Sequence, residues 1–249
     1  MQRTMKYAFI GLTFLLPVSR ASAQAGAPLP SAEDLVSKMM QFDAQRQVEL
    51  HGYTATRRYV AVNKDRHAEM VVHVECETDG AKQFTILSEE GSGAIRKHVF
   101  LKLLSEESEA SRRGTRSGTR LTTANYRFQM VGLEMLESGP AYVLSVSPKT
   151  PNKYLIDGKI WVDANSYSIV RIEGQPARNP SFWVHSVRFV HTYQKVGQFW
   201  FASSTDTTSE IRIFGESKLT ISNTEYKLNP QDKPDTAAIE LNSQAGLVR

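Results

Sequence analysis

The sequence predicts a mainly β, α+β fold: one strongly curved antiparallel sheet with helices on one side. Three observations carry this. From Tyr154 to Phe201 the chain alternates apolar and polar residues at strand period, broken by turn signals, and holds all three tryptophans. Similar segments recur from Tyr53 to Leu228, roughly ten in all, with short turns between them. Helical spacing appears in two places, near 31–47 and 95–113. Long antiparallel strands curl, and full or partial closure deals with their exposed edges.

Residues 1–23 read as a signal peptide. Arg3 and Lys6 form its positive region, Tyr7–Leu16 its apolar core, and Ala21-Ser22-Ala23 the small residues before cleavage. That core falls well short of the roughly 20 residues that span a bilayer, so a periplasmic protein with no transmembrane anchor is expected. Without the leader's Arg3, Lys6 and Arg20, 27 basic residues face 26 acidic ones. So even a balance does not call for nucleic acid. Residues 24–30 read as a flexible lead-in, 31–229 as one domain, and 230–249, rich in Pro, Asp, Gln and Ser, as a disordered tail. Cys76 is the only cysteine, so an intramolecular disulfide is impossible. It lies in step with Met70, Val72 and Val74 and reads as a small buried hydrophobe.

Ser31 starts the first helix, with Asp34 at capping-box spacing. Leu35, Met39 and Phe42, flanked by Val36 and Met40, form its apolar stripe, which extends to about Gln47. Tyr53–Val62, Ala68–Thr78 and Lys82–Ser88 then read as an antiparallel meander, before Glu89–Gly93 breaks the pattern. Over Ile95–Arg113 the recurrence of Ile95, Val99 and Leu103, beside Phe100 and Leu104, predicts a helix with Glu106, Glu107 and Glu109 on a solvated face. Alternation of Val99, Leu101 and Leu103 leaves a strand start open. Arg112–Arg120, with four arginines, reads as a mobile loop; a solvated surface and an anion or lipid-headgroup contact both fit it. Tyr126–Leu136, Ala141–Ser147, Tyr154–Val162, Ser168–Glu173, Phe182–Val196, Phe199–Phe214 and Lys218–Leu228 complete the strands.

Catalytic signatures are missing from the sequence: it has no G-x-S-x-G, H-E-x-x-H, Walker loop or C-x-x-C. His185 and His191 share a strand face, but at about 3.3 Å per residue they stand some 20 Å apart, too far for one metal ion. Asp157 and Asp163 bracket a strand and read as turn formers. The expectation is a protein that is not an enzyme and takes neither cofactor nor metal. The aromatic residues say more. Trp183, Phe189 and Tyr193 share a strand face, Phe199 and Phe201 open the next strand, and Trp161 stands on an earlier one. A filled hydrophobic core and a helix-covered apolar cavity both account for these rings. For a cavity, the predicted lining is Met70, Val72, Val74, Trp161, Trp183, Phe189, Phe199 and Phe201.

The leader, the 31–47 helix, the 53–88 meander, and the runs GKIWVDANSYSIVRIEG, SFWVHSVRFVHTYQKVGQFWF and LTISNTEYKL together resemble the periplasmic lipoprotein carrier superfamily. The likeness is to the LolA/LolB type and the outer-membrane lipoprotein-sorting proteins, with RseB/MucB-type regulators as relatives. It implies an unclosed β half-barrel with an N-terminal helix and a helical lid over a hydrophobic cavity. It also implies acyl chains, on lipoproteins or another lipid, as the ligand. The RseB-type relatives imply an alternative, an envelope-stress regulatory module with an envelope protein as partner. Residues 89–120 form a larger and more charged insertion than a minimal carrier needs, fitting a modified lid or a partner surface.

Overall fold

The computed structural model describes residues 28–112, 120–179, 184–212 and 215–229. The predicted signal peptide, most of the lead-in, the middle of the arginine loop, Trp183 and the tail lie outside the described residues.

Helix α1 (Ala32–Glu49) begins as its sequence demands. The Ser31 hydroxyl accepts the Asp34 N–H at 3.0 Å and donates to the Asp34 carboxylate at 2.7 Å. Acidic Glu33 and Asp34 sit in the first turn and Arg46 in the last, each complementing the helix dipole. β1 (Tyr53–Asn63), β2 (Arg66–Cys76) and β3 (Lys82–Gly91) follow as the expected meander. β3 continues through the predicted break at Glu89, because an edge strand leaves its charged side chains in solvent. A tight corner then turns the chain from strand to helix. Gly91 adopts φ +76°, and a Cβ there would lie 2.3 Å from the His67 carbonyl oxygen. Residues 93–112 are helical throughout, as α2 (Gly93–Ile95), a π-helical turn (Arg96–Phe100) and α3 (Leu101–Arg112). Helix therefore prevails over the strand alternative.

The remaining strands are β4 (Tyr126–Leu136), β5 (Gly139–Pro148), β6 (Ile156–Asp163), β7 (Ile169–Pro176), β8 (Val184–Val196), β9 (Phe199–Ile211) and β10 (Gly215–Leu228). β6 starts later than predicted because the Asn152 side chain accepts the N–H groups of Tyr154 and Leu155, holding them in a turn. All ten strands form one sheet in the order β3-β2-β1-β10-β9-β8-β7-β6-β5-β4. Every pairing is antiparallel, and β10 returns to pair with β1. β3 and β4 do not pair, so the sheet is unclosed.

Its curvature follows from packing. In a flat sheet β4 and β8 would be separated by about 19 Å, at ~4.8 Å per strand. Yet Tyr126 of β4 and Tyr193 of β8 join one cluster around Leu35, Val36 and Met39 of α1. On the other half, Phe84 of β3 and Phe199 and Phe201 of β9 join one cluster around Phe100 and Leu104. Gly158 and Gly174 face each other across β6 and β7, where a Cβ on Gly158 would come within 2.0 Å of the Glu173 carbonyl oxygen. This close approach lets the sheet bend over α1.

The two halves meet where pairing is shortest. Among the described residues β7 and β8 pair from Arg171↔Thr192 to Gly174↔Phe189, whereas β8 and β9 pair from Val184↔Ile211 to Val196↔Phe199. Pairing of β7 with β8 ends at Thr192, and this seam lies beside the end of α1. No helix among the described residues is long and apolar enough to cross a membrane.

Candidate functional site

The helix-covered face holds two filled cores. Met70, Val72 and Val74 alternate along β2 onto this face and are fully buried. Phe100 and Leu104 of the second helix share their cluster, and the Phe100 ring lies 5.6 Å from that of Tyr59. Here the helix acts as a seated lid, and these side chains meet it rather than an open cavity. Phe189 is partly buried against the α1 cluster, 4.7 Å from the His191 ring. Trp161 alternates with Ile160 and Val162, which pack toward α1, so it points to the opposite face. There it packs with Ala141, Val143 and Val170, donates its indole N–H to Glu134 at 2.8 Å, and carries the Arg171 guanidinium over its ring. Trp183 lies outside the described residues.

A partly buried ionic clasp holds the lid. Arg57 stands on β1 among Tyr53, Ala55, Tyr59 and Ala61, all on the covered face. Its guanidinium donates to the Glu107 carboxylate at 2.7 Å, to Asn223 Oδ1 at 2.7 Å and to the Tyr59 hydroxyl at 3.1 Å. Lys82 reaches the other Glu107 oxygen at 2.6 Å. Burial is the largest influence on Glu107 and disfavours its charge, but Lys82 and Arg57 together outweigh it and hold the carboxyl at about 2. Burial likewise opposes the charge on Arg57, and Glu107 more than restores it. Ser111 and Ser108 tie the same end of the helix to the Lys82 backbone. Glu107 therefore does not lie on a solvated face with Glu106 and Glu109, as the sequence predicts. Three and seven positions after Leu104 and Phe100, it belongs to the helix's buried stripe.

Open apolar space lies at the seam. One cleft of about 280 Å³ runs between the end of α1, the β6–β7 turn and the start of β9; Met39, Met40, Leu50, Ile169, Tyr193 and Phe199 are among its walls. A second, of about 590 Å³, passes under the lid's far end beside Tyr53, Lys82, Glu107 and Ser111. Gln47, Leu50, Trp200 and Phe201 line both, so the clefts adjoin. Phe201 stacks on Tyr226 at 4.8 Å and meets Tyr53 at 4.8 Å, fixing the shared wall. Burial pushes the Tyr193 hydroxyl up to about 12, so it is neutral at every physiological pH. Of the predicted lining residues, Phe199 and Phe201 reach this space.

The polar end of the smaller cleft is built by the β6–β7 turn. Asp163 Oδ1 accepts from the Asn165 and Ser166 N–H groups and the Ser166 hydroxyl, consistent with its prediction as a turn former. The turn presents the Ser166 carbonyl to Arg46 at 2.9 Å and the Ser166 hydroxyl to the Trp200 indole at 3.2 Å. Desolvation draws the Arg46 pKa below its ordinary value. Among the described residues no group of three or more His, Cys, Asp or Glu is placed to hold a metal ion.

Sequence reasoning missed Arg57, Glu107, Leu50 and Arg46. A signal existed for the first pair: a charge inside the apolar alternation of β1, and another on the helix stripe.

No family model matches the chain, and no curated protein matches it. Solved structures do, over most of its length. An outer membrane lipoprotein-sorting protein domain from Vibrio parahaemolyticus is 13% identical, with 85% of this chain and 98% of that one covered, at a TM-score of 0.42. A DUF1329 family protein from Desulfovibrio piger is 10% identical, covering 84% and 99%, at 0.43. A LolA superfamily protein from Nitrosomonas europaea is 10% identical, covering 84% and 97%, at 0.37.

Proposed function

We propose that this chain is a periplasmic carrier or receptor that binds acyl chains, on lipoproteins or another lipid, in the seam beside α1. One observation carries the reading: two adjoining open clefts share an apolar wall that includes Leu50 and Phe201. Their sizes lie at the lower edge and in the middle of the roughly 300–1,000 Å³ usual for ligand sites. Each methylene moved from water to that wall contributes about 0.8 kcal/mol, so chain length alone supplies affinity. The leader sequence supports the compartment, and the sequence resemblance supports the ligand class. Longer cargo is admitted by parting the Glu107 clasp, which swings the lid off Met70, Val72 and Val74.

Titrating lipid-stripped protein with a fluorescent fatty acid tests this. Saturable binding is expected, and Leu50→Arg, which places a charge in the shared wall, should weaken it at least about tenfold with the circular dichroism unchanged. Equal binding by the variant contradicts the site. A protein-binding envelope regulator is the second reading, favoured by the open β4 edge, where Val131, Leu133 and Met135 are exposed.

A further inference from the structure

The two edges of the sheet are guarded unequally. At β3 the second helix covers the start of the edge: the Lys82 N–H donates to Ser111 Oγ at 2.9 Å, and the Lys82 carbonyl accepts from Ser108 at 3.2 Å. The far end of β3 carries Glu89 and Glu90, and edge charges discourage strand pairing. β4 has neither guard. It runs for 11 residues without proline or lysine, and among the described residues no strand pairs with its open edge. Val131, Leu133 and Met135 on it leave half or more of their surface in solvent.

The β4 sequence is also complementary to itself read in reverse. About a centre between Met130 and Val131, Arg127 falls opposite Glu134, Phe128 opposite Leu133, and Tyr126 opposite Met135. Directly opposed residues share a face, and in a regular strand these odd–even pairs would not. The bulge at Val131 corrects this. Before it, Tyr126 and Phe128 pack toward α1; after it, Leu133 lies across from Tyr142, which packs the same way. Glu134 points to the opposite face, where it bonds Trp161, and Arg127 alternates with Tyr126 and Phe128 onto that face too. A bulge ordinarily blunts an edge. Placed on a twofold axis, this one matches the charged and apolar faces of two copies.

We propose that β4 pairs antiparallel with β4 of a second copy, joining the two sheets across a twofold axis at Met130 and Val131. Two Arg127–Glu134 pairs then flank the axis on one face, and apolar pairs fill the other. Such a contact uses both β4 edges and closes, whereas β4 against β3 would leave a free edge at each end and grow into a filament. No residue of β4 lines either cleft, so this interface stands apart from the acyl-chain reading.

Sedimentation velocity of the full chain across the micromolar range tests the pairing. A monomer–dimer equilibrium is expected. Arg127→Glu and Glu134→Arg each set like charges face to face on both sides of the axis, and each alone should weaken dimerisation at least about tenfold. An equimolar mixture of these two variants should recover it, because every pair then joins opposite charges. Leu133→Lys, which puts a charge into the apolar row, should favour the monomer with the circular dichroism unchanged. If Glu134→Arg does not fold, Arg127→Glu and Leu133→Lys still decide the matter. A wild type that stays monomeric overturns the pairing, whether its β4 edge is vacant or holds a different protein. A dimer unmoved by Arg127→Glu and Leu133→Lys overturns it equally.

Discussion

Glu107→Ala is expected to destabilise the protein by about 3 kcal/mol, measured as a shift in the urea midpoint at constant slope. Removing one partner from a buried ion pair typically costs about 3–5 kcal/mol, because the charge left behind stays desolvated. The low end applies because the Glu107 side chain is 33% exposed and Arg57 keeps Asn223 and Tyr59 as partners. Arg57→Met combined with Glu107→Leu should recover most of the loss, since no orphan charge remains. The pH dependence carries a sign. Glu107 has its pKa lowered from 4.5 to about 2 in the folded state, so its contribution is complete above pH 4.5 and disappears as pH falls through about 2. The deficit of the variant should therefore be constant from neutrality to pH 4.5 and shrink below it. A deficit under about 1 kcal/mol at neutral pH, or one that vanishes between pH 7 and 5, contradicts the clasp.

The largest apolar loss is expected at Phe100. Its side chain is fully buried at the end of the π-helical turn and seals the lid over Tyr59, Met70 and Val72. Phe100→Ala should cost about 3–5 kcal/mol through lost burial and an unfilled cavity. It should also change where the protein opens. Hydrogen exchange in 93–112 should accelerate well before exchange in β5 and β6, which belong to the other cores. The void left under the lid is apolar, so the variant should gain binding of a small hydrophobic dye that the wild type excludes. Uniform acceleration across both halves would place Phe100 in one undivided core and contradict the two-core architecture.

These expectations depend on features of unequal legibility in the sequence. The α1 cap, the 53–88 meander and the β-rich second half were plain, because Ser31–Asp34 spacing and period-2 alternation are local signals. The division of the concave face was not. Alternation tells which residues share a face but not which helix covers them, so Met70, Val72 and Val74 read equally well as cavity wall or lid seat. Trp161 misleads for a related reason. β6 is buried on both faces around it, with Ile160 and Val162 on one side and Trp161 on the other, and hydrophobicity alone cannot orient such a strand. Glu107 sits between two exposed glutamates, and its neighbours hide its place on the buried stripe. Arg46 acquires its partner only from the fold, which brings the end of α1 against the β6–β7 turn.

Native mass spectrometry of the intact protein, purified gently from its own cells, tests acyl-chain binding most directly. An adduct of one acyl-bearing lipid per chain is expected, released by organic extraction and lost in Leu50→Arg. Apo mass alone, with no lipid in the extract and no uptake of added fatty acid by the stripped protein, would contradict it.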